Sequence, residues 1–145
     1  MTDKCIAYHT GYKYQLAADY RVATRIKPKQ AIDGRFIALD ESGLLTVKSG
    51  YAWDGVSGPV LDTGQNLRAS LVHDAFYQLM RKRELSAKTW RDKADKLFRD
   101  MCREDGVPSS VARAYYEVLK MLGKPSADPK NAKETLRAPR LPGQA

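Results

Sequence analysis

Cysteine is scarce in this chain, with two residues, Cys5 and Cys102, among 145. So few exclude a disulfide-dense scaffold, and the spacing forms no zinc motif. Both are expected to be free thiols. Long apolar runs are also absent. No stretch approaches the ~18–20 consecutive apolar residues of a membrane-spanning helix. The first residues, Met1-Thr2-Asp3-Lys4-Cys5-Ile6, lack the apolar centre of a signal peptide. A cytoplasmic location is therefore expected. Two common catalytic signatures are missing as well. Ser57 and Ser70 sit in no G-x-S-x-G elbow. No G-x-x-x-x-G-K-[ST] phosphate loop occurs. Acidic charge is in deficit, with 17 Asp and Glu against 25 Lys and Arg, a net charge of +8. That balance favours anionic partners. No aromatic-interleaved basic cluster stands out, which argues against specific nucleic-acid recognition.

What is present is enough for one domain with a real core: 43% of the residues are hydrophobic. Residues 12–50 read as a small antiparallel β-meander. Tyr14, Leu16, Ala18 and Tyr20 alternate with Gln15, Ala17 and Asp19. Phe36–Leu39 and Leu44–Val47 flank Asp40-Glu41-Ser42-Gly43, which has hairpin-turn chemistry. Asp33-Gly34 marks an earlier turn. Residues 51–65 read as a Gly-rich loop. Gly55 and Gly58 permit close backbone approach, Asp54 offers oxygens, and Trp53 offers an apolar wall for a ligand.

Three helices follow within residues 66–123. On the first, Leu71, Val72, Ala75, Phe76, Leu79 and Met80 share an apolar arc. His73 and Tyr77 lie side by side at its edge, with Asp74 and Gln78 on another face beside Arg81. The second helix, about 87–104, carries Trp90, Ala94, Leu97 and Met101 as one stripe. Asp95, Phe98 and Cys102 form the neighbouring row, and Asp105-Gly106 ends the helix. The third starts at Ser109 or Ser110, expected as N-caps after Pro108. Val111, Ala114, Tyr115, Val118 and Leu122 supply its apolar side. Residues 124–145 hold four prolines and five Lys or Arg against two acids, and read as a basic flexible tail. The fold class is thus α+β: one domain over 1–123 and a tail.

The chemistry-bearing set is His73, Asp74, Tyr77 and Asp95. Histidine suits general-base work near neutral pH. Asp74 cannot orient the same ring, because adjacent helical residues point about 100° apart. It is left for another task, such as holding a hard cation through oxygen. An orienting carboxylate must come from elsewhere, and Asp95 can supply it if the first two helices pack antiparallel. Tyr77 can then donate its hydroxyl to that carboxylate. Each residue also has a bland reading: a structural His, a solvated Asp74, an Asp95 ion-paired with Arg68 or Arg91, and an Asp54 that only forms a turn with Gly55.

Two resemblances bear on these residues. The segments 45–59 (with YAWDGVSGP), 67–81 (with LVHDAFYQLMR) and Ala94-Asp95 resemble a family of tailed-phage and prophage proteins known as a domain of unknown function. That resemblance extends from about Lys13 to Gly123 and implies a phage or prophage origin, with no activity attached. It places the protein in the host cytoplasm or packaged in a virion. Separately, His-Asp-x-x-Tyr on one helix, followed about twenty residues later by Ala-Asp-x-x-Phe, resembles the core of secreted phospholipase A2. That likeness implies His73 as the base for water, Asp95 as its orienting partner and Tyr77 bonded to Asp95. Asp74 would bind calcium with carbonyls of the Trp53–Gly58 loop, and Asp54 would add a side-chain ligand. The half-cystines that flank the helix pair in animal enzymes are absent, and the usual calcium-loop pattern is not reproduced.

Three functions follow as expectations. One is a calcium-dependent hydrolase of phospholipid esters at an anionic bacterial membrane, with Trp53 and Phe76 at the interface. Another is a non-catalytic virion, assembly or host-binding protein of a phage. The third is a hydrolase using a transition metal held by Asp54, His73 and Asp74.

Overall fold

Alternation in the N-terminal half produces strands, but in two sheets. The computed structural model describes residues 2, 5–6, 8–10, 14–55 and 62–129. One sheet has the order β1-β2-β7, from Tyr8–Thr10, Tyr14–Leu16 and Ala52–Trp53. The other has the order β3-β6-β5-β4, from Tyr20–Ala23, Leu44–Val47, Ile37–Leu39 and Ile32–Asp33. All pairings are antiparallel. β4, β5 and β6 form the expected meander, and β3 adds to its β6 edge. The expected run from Tyr14 to Tyr20 is broken at Ala17–Asp19, where the chain passes between sheets. Ser49 N donates to Asp19 Oδ1 at 2.8 Å and Gly50 N to Leu16 O at 2.7 Å across this crossing.

In the larger sheet the register lines up one buried face. Tyr20 and Ile37 both oppose Val47, and Val22 and Leu39 both oppose Leu45. All six are buried. The β5–β6 hairpin closes on Asp40, whose Oδ1 accepts from Ser42 N, Ser42 Oγ and Leu44 N. Gly43 completes the turn at φ +93°, and a Cβ there would meet Thr24 O at 2.2 Å, so no other residue fits.

The helices fall close to the expected bounds: α1 Leu67–Arg81, α2 Ala87–Glu104 and α3 Ser109–Leu122. The α1 arc packs as the periodicity requires, with Leu71, Val72, Ala75, Phe76, Leu79 and Met80 all buried. The link from Lys82 to Ser86 is short. Contacts then run in opposite order along the two helices, from Arg68 to Glu104 at one end to His73 and Asp95 in the middle. α1 and α2 are therefore antiparallel. Arg68, nearly buried, fixes that arrangement. It donates to Asp105, Glu104 and the Tyr20 hydroxyl, tying both helices to β3.

Several expectations change. α3 carries no side-chain cap, with Pro108 rather than a serine at the N-cap position. Its buried face is Ala112, Tyr116 and Leu119. The apolar side expected to be core is open or half-open: Val111 is 39% and Leu122 57% exposed, as is the neighbouring Met121 at 78%. The helix is apolar over more than one face, so periodicity alone could not choose between them. Residues 124–127, expected to begin the tail, form a short helix, α4, and Ala127 is buried. Residues 130–145 lie outside the described residues. Both cysteines are free, Cys5 exposed and Cys102 buried.

Candidate functional site

α1 and α2 meet side by side, and their facing polar residues make one buried cluster. His73 Nε2 lies 2.7 Å from Asp95 Oδ1. Tyr77, one turn on from His73, donates its hydroxyl to the same oxygen at 2.6 Å. Asp95 is completely buried, whereas the His73 side chain keeps 12% of its surface open. An ionised Asp95 makes Nε2 the donor and fixes the neutral tautomer with its lone pair on Nδ1. Tyr77 packs on the imidazole at 4.1 Å between ring centroids, and Phe98 meets it edge-on at 5.5 Å. The ring is thus held by one carboxylate and two aromatic faces. Burial, reinforced by the charge of Asp95, pushes the Tyr77 hydroxyl well above the ordinary tyrosine range. It remains a donor at any physiological pH.

The second oxygen of Asp95 differs. Oδ2 is buried and has no hydrogen-bond partner among the described residues. The Arg91 guanidinium, four residues earlier on α2, stands 3.7 Å away, too far for a hydrogen bond but close enough for a counter-charge.

Asp74 points elsewhere, as adjacency on a helix demands. Its Oδ2 accepts from the Tyr51 hydroxyl at 2.7 Å, which also reaches Gln78 Oε1 at 3.2 Å. Tyr51 is buried, and that burial with the nearby Asp74 charge raises its hydroxyl well above the usual tyrosine range. Asp74 and Asp54 both act electrostatically on Tyr51, but Asp54 is exposed. Asp54, His73 and Asp74 do not assemble into a three-residue metal site. No group of three or more His, Cys, Asp or Glu among the described residues is placed to hold a metal. His73 instead spends Nε2 on Asp95.

The loop expectation needs two corrections. Ala52–Trp53 is a strand paired with β2, and Trp53 is a core residue rather than a ligand wall. Its Nε1 donates to Ser70 Oγ at 3.0 Å, and its ring packs on Tyr14 and Tyr51. Phe76 is likewise buried and cannot sit at a membrane interface. Both aromatics belong to the buried core. Gly55 does provide close approach. It has φ +80°, and a Cβ there would lie 2.4 Å from the Asp62 carboxylate. Gly58 lies outside the described residues.

Sequence reasoning missed Tyr51, read as part of a loop, as the partner of Asp74. A Tyr two residues before a buried Trp in an alternating segment was the available signal. Arg91 was visible only as one candidate ion-pair partner of Asp95, through its i,i+4 spacing.

A family described as a protein of unknown function, DUF1353, matches residues 31–118, a span that includes His73, Asp74, Tyr77, Arg91 and Asp95. No curated protein and no solved structure matches the chain.

Proposed function

The chain belongs to the DUF1353 family of proteins of unknown function, and from that premise we propose that it is a hydrolase of lipid esters with His73 as its general base. We place it in a tailed phage or prophage, acting at the host membrane, in the host cytoplasm or carried in the virion. One observation carries this reading: His73 Nε2 and Tyr77 Oη converge on a single oxygen of a fully buried Asp95. A buried carboxylate that fixes one ring nitrogen leaves the other to take a proton. The likeness of His73-Asp74-x-x-Tyr77 and Asp95 to the phospholipase A2 core selects the ester substrate. The net charge of +8 favours an anionic lipid surface.

In this reading Nδ1 removes a proton from water as its oxygen attacks the ester carbonyl. The tetrahedral intermediate collapses with cleavage of the carbonyl carbon–alkoxide bond. The imidazolium returns its proton to the departing alcohol, leaving a free fatty acid. Asp95 stays ionised throughout and steadies the imidazolium.

Calcium would supply a positive charge beside the developing oxyanion. It takes about six to eight oxygens, and the described residues offer Asp74, one of whose oxygens is engaged by Tyr51, and the exposed Asp54. The remaining oxygens would come from carbonyls of the Trp53–Gly58 loop, of which residues 56–58 lie outside the described residues, and no step runs through the ion. The test is fatty-acid release from anionic phospholipid vesicles, with and without calcium. Release by the parent protein, lost in His73→Gln, is expected; no release under either condition refutes the proposal.

The alternative is a non-catalytic virion, assembly or host-binding protein. The open apolar side of α3 favours it, because exposed Val111, Met121 and Leu122 suit a protein contact. Copurification with virions or with one host protein, unaffected by His73→Gln, would support this reading over the first.

A further inference from the structure

We propose that the cleft between the edge strand β4 and the first turns of α2 binds an acidic segment of a partner protein, taken up in extended form as an added strand on β4. The inference goes beyond the hydrolase reading and does not rest on it.

β4 stands at one side of the larger sheet, and among the described residues β5 is its pairing partner. The phase of that pairing decides which main-chain groups are used. Gly34 N donates to Ile37 O at 2.9 Å. Main-chain groups alternate in direction along an antiparallel strand. Ile32 and Gly34 therefore turn their amides and carbonyls to β5, and Ala31 and Asp33 turn theirs outward. These outward groups have no hydrogen-bond partner among the described residues.

The outer edge opens into a cleft of about 980 Å³, the size of a ligand pocket. Ile32 and Asp33 both line it, although their side chains lie on opposite faces of the sheet. A cleft that touches both runs along the edge of the strand and not across one face. Across from the edge stands α2 with the half-buried Trp90, and Pro28 and Leu85 add apolar surface. An edge strand beside a helix gives an extended peptide main-chain partners along one side and a pocket for alternate side chains.

Charge selects the occupant. Lys27 and Lys29 line the cleft and are exposed, with no ion pair among the described residues. Lys93 Nζ, 4.8 Å from the centre of the Trp90 ring, adds a third cation beside it. Of the acids that line the cleft, Asp33 is paired with Lys48 at 3.1 Å, which leaves Glu84. The excess is positive, so an acidic segment is attracted and a basic one repelled. A second copy pairing β4 with β4 would bring two like-charged clefts together. Residues 130–145, with four Lys or Arg against one acid, carry the wrong sign as well.

The experiment selects from a library of short random peptides on the full chain, then follows the enriched peptides by hydrogen exchange of the Asp33 and Gly34 amides. Enriched peptides are expected to carry Asp or Glu and to alternate with apolar residues. On binding, the Asp33 amide is expected to slow, and that of Gly34, already bonded to Ile37, to change little. The double substitution Lys27→Glu and Lys29→Glu, at exposed positions, is expected to weaken binding about tenfold or more. Methylating every second peptide nitrogen removes donors without touching the protein. It is expected to abolish binding in one phase and to be tolerated in the other, because only one set of amides faces β4. If the charge-reversed variant does not fold, the methylated peptides decide. No enriched peptide, an unchanged Asp33 amide, undiminished binding by the folded charge-reversed variant, or equal effects of the two methylation phases overturns the proposal. An Asp33 amide already slow in the free protein shows a second copy or residues 130–145 on the edge, and overturns it too.

Discussion

Removing the Tyr77 hydroxyl is the cleanest probe of the α1–α2 polar cluster. Tyr77→Phe removes the hydroxyl, its 2.6 Å hydrogen bond to a fully buried carboxylate and its interaction with Arg91. Water cannot replace the lost donor, because both side chains are closed to solvent. A hydrogen bond to a charged group contributes about 1.5–3 kcal/mol. Asp95 Oδ1 keeps His73, so the loss stays below the ~3–5 kcal/mol of an abandoned buried charge. Together these place the expected destabilisation at about 2 kcal/mol. Urea unfolding of the parent, Tyr77→Phe, Asp95→Asn and the double variant measures it and completes a thermodynamic cycle. Asparagine still accepts a bond but carries no charge, so a coupling of about 1 kcal/mol is expected between the two sites. A Tyr77→Phe cost within about 0.5 kcal/mol of zero, the range of an ordinary surface substitution, would refute the claim that this hydroxyl serves a buried ion.

Other perturbations follow from the same physics. Arg68→Ala removes four hydrogen bonds to Asp105, Glu104 and Tyr20. Because Glu104 is largely exposed, the expected loss by urea unfolding is about 2–4 kcal/mol, below the full cost of an abandoned buried charge. Arg68→Lys should recover only part of it, since one ammonium cannot reproduce the fork. Arg83, in the α1–α2 turn, has φ +61°. A side chain in that left-handed conformation is strained, so Arg83→Gly is expected to raise stability by about 0.5–1 kcal/mol, read as an increase in Tm.

How much of this was legible in the sequence depends on how local each signal is. The β5–β6 hairpin was readable because Asp40 to Gly43 carries its own turn chemistry and Ile37, Leu39, Leu45 and Val47 share one face. α1 and α2 were readable from period and stop signals. So was the juxtaposition of His73, Tyr77 and Asp95, because an antiparallel pair with a short link leaves little freedom of register. The division into two sheets was not readable. Tyr14 and Leu16 keep the same alternation as Tyr20 and Val22, and only the tertiary crossing at Ala17–Asp19 separates them. Trp53 looked available beside Gly55 and Gly58, yet burial of a large ring against Ser70 and Tyr14 outweighed its loop-like neighbourhood. α3 offered two apolar faces, and the choice lay with α2, against which it packs. Tyr51 and Asp74 are joined by a contact 23 residues apart in sequence, which no periodicity encodes.

The central claim is that His73 is a base held ready by Asp95. The most direct measurement is hydrolysis of anionic phospholipid vesicles by the parent protein, His73→Gln and Asp95→Asn, each checked for folding. The parent is expected to release fatty acid and His73→Gln none, with the rate lowered about 10²–10⁴-fold in Asp95→Asn, the scale of general-base catalysis. Equal release by the parent and His73→Gln, or none from a folded parent, would contradict it.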